Sequence, residues 1–126
     1  MAPTFDEIAK AKYVLLTTFT KDGKPKPTAI WAAPDGDRLL VMTEEDSWKA
    51  KRIRNTPRVT LAICDLRGNP KSEPIEAVAR VLDKSEAPAV VRAVSKRYGI
   101  IGWLFGIYIK VRGLDKKSVG VELKAA

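Results

Sequence analysis

The dipeptide Asp-Gly occurs twice early in the chain, at 22–23 and 35–36, each time between runs rich in strand formers. Asp-Gly readily adopts the positive φ angles of a tight hairpin, so it ties the flanking strands together as antiparallel partners. The first turn, "KDGK" (21–24), joins "YVLLTTF" (13–19) to "PTAIWAA" (27–33). The second, "PDGD" (34–37), leads into "RLLVMT" (38–43). Further on, "RVTLAIC" (58–64) alternates Val59, Leu61 and Ile63 against Thr60, Ala62 and Cys64. "RGNP" (67–70) turns the chain again into "PIEAVARVLD" (74–83), and "SVGVEL" (118–123) reads as a last strand. Turn signals at this spacing predict an antiparallel barrel or sandwich. The expectation is a mainly β fold of about six antiparallel strands with helices attached. At 126 residues it forms one domain, 1–126.

Helical patterns interrupt the strands. Thr4 and Glu7 form a capping box ahead of Phe5, Ile8 and Ala9. "SWKAKRIRNTPR" (47–58) follows the third strand, with Asp46 or Ser47 as cap and Ala50 and Ile53 facing the sheet. "SEAPAVVRAVSKRYG" (85–99) predicts a helix capped by Ser85, with Ala87, Val90, Val91 and Val94 buried and Gly99 as the stop. "IIGWLFGIYIKV" (100–111) reads as one more helix, apolar all round, which implies burial or contact with a partner.

Charge locates the informative segment. Residues 1–45 hold six cations and seven acids; residues 46–126 hold seventeen and eight, so the net +8 arises where the second helix begins. Five cations (Lys49, Lys51, Arg52, Arg54 and Arg58) crowd residues 47–58 with no acid among them. A local basic excess of this kind implies an anionic partner: a nucleic acid, a lipid surface or a phosphate. A helix start with the Thr43 and Ser47 hydroxyls, free N–H groups and Lys49 two residues on outlines a phosphate site. The same pattern also describes a solvated basic helix. Histidine is absent, which removes the commonest general base and metal ligand. One cysteine allows no internal disulfide and points to a reducing cytoplasm. No metal site is expected, no catalytic side chain stands out, and any enzyme chemistry would belong to a bound cofactor.

Taken in order, "TTFTKDGKP", "AIW", "LLVMT" and "RNTPRVTL" resemble the pyridoxamine-phosphate-oxidase-like flavin and deazaflavin oxidoreductases over roughly residues 5–82. Their wording is most similar to the branch that uses the deazaflavin coenzyme F420. The resemblance implies a split β-barrel and a homodimer with cofactors between the subunits. It implies that Thr28, Ile30, Trp31 and Ala32 lie along the cofactor ring. Thr43 and Ser47 would bond its phosphate, Lys49 would pair with it, and Arg52 would be a second cation. Coenzyme F420 is the expected cofactor, with FMN the alternative, and the expected activity is hydride transfer to an electron-poor organic acceptor. A non-catalytic carrier of a cofactor or tetrapyrrole is a competing reading, and a basic nucleic-acid-binding barrel another. Single-strand binders usually offer several stacking platforms, whereas Trp48 is the one aromatic on the basic helix. Trp48 reads as a docking anchor or a ligand clamp, Cys64 as an inert core residue, and Tyr98 as packing. Residues 100–112, with Lys110 and Arg112, leave peripheral membrane contact open.

Overall fold

A computed structural model describes residues 2–99, 104, 107 and 118–126. The strands are β1 (Tyr13–Phe19), β2 (Pro25–Ile30), β3 (Ala33–Asp35), β4 (Arg38–Glu44), β5 (Arg58–Cys64), β6 (Ile75–Val81) and β7 (Ser118–Ala125). They form one sheet of seven in the order β2-β1-β5-β6-β7-β4-β3, with every neighbouring pair antiparallel. The two edges are therefore β2 and β3, yet only Trp31 and Ala32 lie between them in the chain. Six gaps between flat strands would set the edges roughly 29 Å apart. Three residue steps reach about 10 Å. The sheet must curl until its edges nearly meet, which makes a barrel split at Trp31–Ala32.

The strand count exceeds the expected six because the run 27–33 divides. β2 stops at Ile30, and Ala33 opens a short strand paired with β4. At the break, Ala32 donates its N–H to the Tyr98 hydroxyl (3.2 Å), and its carbonyl accepts from Arg97. These bonds satisfy backbone groups that a continuous ladder would otherwise serve. Pro25 and Pro27 fit within β2 because it is an edge strand.

The barrel interior is apolar. Val14 and Leu16 of β1, Leu39 and Val41 of β4, Val59 and Leu61 of β5, and Val121 and Leu123 of β7 all point inward. Helix α1 (Phe5–Lys10) starts at the predicted Thr4–Glu7 capping box and inserts Ile8 into this core. Helix α2 (Trp48–Asn55) starts at Ser47 and turns Ala50 and Ile53 inward, also as predicted. A second, smaller core lies outside the barrel wall, where Leu40 meets Leu82, Val90 and Val94. Val90 and Val94 belong to helix α3 (Ala87–Arg97). Gly120 of β7 allows this close packing: a Cβ there would sit 2.6 Å from Val90 Cγ2. Gly99 ends α3 at φ 62°, the left-handed position that favours glycine after a helix.

Two expectations for α3 need correction. Ser85 does not cap it; Lys84–Glu86 form a 3₁₀ turn, and the Ser85 hydroxyl donates to Asp83 (2.8 Å) instead. Pro88 suits the first turn that begins at Ala87, so the regular helix starts two residues later. Val91 is only half-buried, because the stripe facing the sheet runs Ala87–Val90–Val94. The expected helix at 100–111 and the membrane reading of 100–112 fall outside the described residues, except at Leu104 and Ile107, both exposed. Among the described residues no helix is long and apolar enough to cross a membrane.

Candidate functional site

The end of β4 and the start of α2 bring three predicted residues together. Ser47 has extended backbone angles and its Oγ accepts from the Ala50 N–H (3.1 Å), so it is the helix cap. Thr43 Oγ1 lies 3.0 Å from the same Oγ. One proton bridges the two hydroxyls. The pair therefore keeps one O–H to offer a further acceptor.

Lys49 follows in the first turn of α2 and is half-buried. Burial pushes its ammonium below the ordinary lysine pKa, and the nearby Arg52 charge acts in the same direction. Among the described residues no carboxylate pairs with it. Lys49 lines a groove of about 320 Å³. Ala29, Ile30 and Trp31 form one wall; Val41 and Met42 of β4 and Val94 of α3 form the rest. The groove is apolar apart from the one cation.

The other predicted residues are placed differently. Thr28 is exposed on edge strand β2 and does not line this groove. Ala32 is fully buried in the barrel core, and Tyr98 and Arg97 hold its backbone. Arg52 lines a separate groove of about 450 Å³ beside Phe19, Trp48, Lys51 and Asn55. Trp48 is 70% exposed there, with Lys51 Nζ 5.0 Å from its ring centre. This outer groove is larger, but its Lys51 head is not desolvated as Lys49 is, and a solvated cation needs no ligand to offset burial.

Sequence reasoning missed Ala29, Val41, Met42 and Val94. Met42 carried a usable signal, since it follows inward-facing Val41 in a strand and must face out. Val94 carried none, because its helix is remote in sequence from β4. Tyr98 was read as packing, and it does pack: its ring stacks on Trp31 with centroids 4.6 Å apart at 14°. Its hydroxyl also donates to the Lys12 carbonyl (2.8 Å), and burial raises its pKa. Cys64 is buried, and burial raises its thiol pKa, the profile of an inert core cysteine.

The groove contains no acid–base pair. Among the described residues no cluster of three or more His, Cys, Asp or Glu side chains could hold a metal ion. Its chemistry is that of a holder: apolar walls for a ring and one desolvated cation for an anion, with the Thr43–Ser47 pair outside the lining. A phosphorylated ring cofactor fits that donor set.

Comparison with solved structures shows the same fold. HutZ, the heme storage protein of Vibrio cholerae, superposes with TM-score 0.67 at 16% identity, covering 96% of this chain and 87% of HutZ. A conserved hypothetical protein of Mycobacterium tuberculosis gives TM-score 0.67 at 24% identity, with 99% and 82% covered. An F420 reductase gives TM-score 0.65 at 19% identity, with 100% and 96% covered. Among curated proteins no sequence matches. The sequence model described as pyridoxamine 5'-phosphate oxidase matches residues 3–125. With nearly the whole chain matched and the curled sheet to go with it, this protein belongs to the pyridoxamine 5'-phosphate oxidase family.

Proposed function

We propose that this protein is an oxidoreductase that uses the reduced deazaflavin coenzyme F420 to reduce an electron-poor organic acceptor, and that it works as a homodimer with cofactor between the subunits. The observation that carries the reading is Lys49. A half-buried cation without a carboxylate partner is unfavourable unless something anionic completes it. Its place beside an apolar groove at a helix start suits a phosphate joined to a ring system.

Lys49 would hold the phosphate, with the spare Thr43–Ser47 hydroxyl proton beside it. Ile30, Trp31 and Met42 would bear on the ring. When bound, the reduced deazaflavin supplies a hydride. The protein's part is to orient ring and acceptor and to keep water out with Val41, Met42 and Val94. A chain without histidine can do this, since neither task needs a side-chain base. FMN has a single phosphate, whereas the deazaflavin tail extends its negative charge further. Lys51 and Arg52 extend the positive charge beyond Lys49 on α2, which favours the longer anion.

A carrier without catalysis is the second reading, since the fold also serves the heme storage protein HutZ. Titration with deazaflavin, FMN and a random oligonucleotide, followed by tryptophan quenching at two salt concentrations, separates the possibilities. Tight deazaflavin binding, weak FMN binding and salt-sensitive oligonucleotide binding are expected. Equal affinity for FMN would remove the cofactor assignment. Deazaflavin binding without turnover on quinones, nitroaromatics and tetrapyrroles would select the carrier. Sedimentation of a monomer at micromolar concentration, with cofactor present, would remove the dimer.

A further inference from the structure

A third pocket, of about 460 Å³, also reaches Trp31 in the barrel slit. Lys10 of α1, Lys12 and Tyr13 at the start of β1, Trp31 in the slit, and Arg97 and Tyr98 at the end of α3 line it. Three of these side chains are cations and none is an acid. Among the described residues none of the three cations forms an ion pair.

Arg97 is held in place without being neutralised. One terminal nitrogen donates to the Ala32 carbonyl and the other to the Ala11 carbonyl (3.0 Å). Two carbonyl acceptors fix the guanidinium plane, and a guanidinium carries five N–H donors in all. Three donors are left outside these two bonds, and paired guanidinium donors match a carboxylate. The aromatic side is equally fixed. Trp31 and Tyr98 are stacked, and the Tyr98 hydroxyl is tied to the Lys12 carbonyl and the Ala32 N–H. Lys12 Nζ lies 5.6 Å from the centre of the Tyr13 ring. Fixed rings, with unneutralised cations on two chain segments (Lys10 and Lys12 on one, Arg97 on the other), describe a receptor for a flat ligand with acidic groups at more than one edge.

We propose that this pocket binds a planar aromatic molecule carrying two or more carboxylates. As a binding site it stands on its own residues. As the site of the hydride acceptor it rests on the deazaflavin reading of the Lys49 groove, with which it shares only Trp31.

The test uses the full chain and naphthalene-2,6-dicarboxylate, followed by calorimetry and tryptophan quenching. Its dimethyl ester and the saturated cyclohexane-1,4-dicarboxylate serve as controls. The aromatic diacid is expected to bind, with each control weaker by about tenfold or more. The double variant Lys10→Gln/Lys12→Gln removes two exposed cations that hold no other element in place, so it should fold normally. It should weaken diacid binding by about tenfold, with an unchanged melting curve. Arg97→Lys keeps the charge but loses the fork, and should weaken binding further. Saturating deazaflavin should leave diacid binding in place.

Several results would overturn the assignment. They are no diacid binding below about 1 mM, equal binding of the diester, or an unchanged affinity in the double variant. Loss of binding in Lys51→Gln instead would move the ligand to the groove beside Trp48 and overturn it too. Displacement by deazaflavin would put the diacid in the cofactor groove, with the same consequence. Failure of deazaflavin to bind, with the diacid still bound, would sink the cofactor reading and leave this pocket standing.

Discussion

Arg38 at the start of β4 is neutralised twice over: its guanidinium reaches Glu122 at 2.7 Å and Asp35 at 2.8 Å. Glu122, buried within β7, takes a further bond from Arg80 at 3.3 Å. In the helix that follows the same strand, Lys49 is desolvated and meets no carboxylate among the described residues. The first arrangement is what a fold does with charge it must keep for itself: each buried group has a partner. The second is left open, and an open buried charge is unfavourable in the free protein. The contrast separates a structural charge cluster from a candidate ligand site more sharply than the number of cations does.

The comparison can be tested directly. The largest effect expected is on cofactor binding. Lys49→Ala should cost about 1.5–3 kcal/mol of deazaflavin affinity, measured by quenching titration, while the free protein melts no lower than its parent. An unchanged dissociation constant would mean that Lys49 is merely a poorly solvated lysine. Next comes the structural end. Glu122→Gln should destabilise the fold by about 1–2 kcal/mol, tempered by the exposure of Arg80, and should leave cofactor affinity intact. Denaturant melts and the same titration check both halves. Hydrogen bonding from Arg38 holds the Glu122 carboxyl below its ordinary 4.5. Its stabilisation should therefore be complete above that pH and be lost as pH falls through the lowered value.

A smaller effect concerns alkaline pH. On the proposed reading only charged Lys49 attracts the phosphate, and its pKa in the free protein lies below the ordinary 10.5. Cofactor affinity should begin to fall at a lower pH than a surface lysine would cause. Lys49→Arg, which stays charged, should flatten that alkaline limb. Free-protein stability should show the opposite trend. The unfolded chain holds the proton longer, so stability rises with pH between the lowered value and 10.5. A limb of unchanged position in Lys49→Arg would assign the titration to another group. The smallest effect belongs to Arg52. Arg52→Ala should weaken cofactor binding by only about 0.5 kcal/mol and raise the Lys49 pKa slightly by removing a like charge. A loss as large as that of Lys49→Ala would move the phosphate to the outer side of α2.

Much of the local structure was legible in the residues. The capping box at Thr4, the cap at Ser47, the inward Ala50 and Ile53, and the stop at Gly99 are all short-range effects, and each appears where the sequence placed it. The cap at Ser85 failed because Asp83 competes for the hydroxyl. Within the site, the pairing of Thr43 with Ser47 lies four residues apart and was within reach of spacing arguments. The groove walls were not. Ile30, Met42 and Val94 come from three elements that meet only when the barrel closes and α3 packs over Gly120.

The sequence by itself determined the antiparallel strands, the basic helix and the absence of a histidine base, because turn chemistry, alternation and composition act over a few residues. The curled sheet decided which cations are buried and which groove each one lines. Burial separates exposed Lys51 from half-buried Lys49 and Arg52, and the groove that each lines separates the last two, since desolvation depends on what packs around a charge. The same holds for Arg97 and Tyr98: their grip on Ala32 spans some 65 residues of chain, and no local pattern encodes a contact that exists only after the sheet has closed.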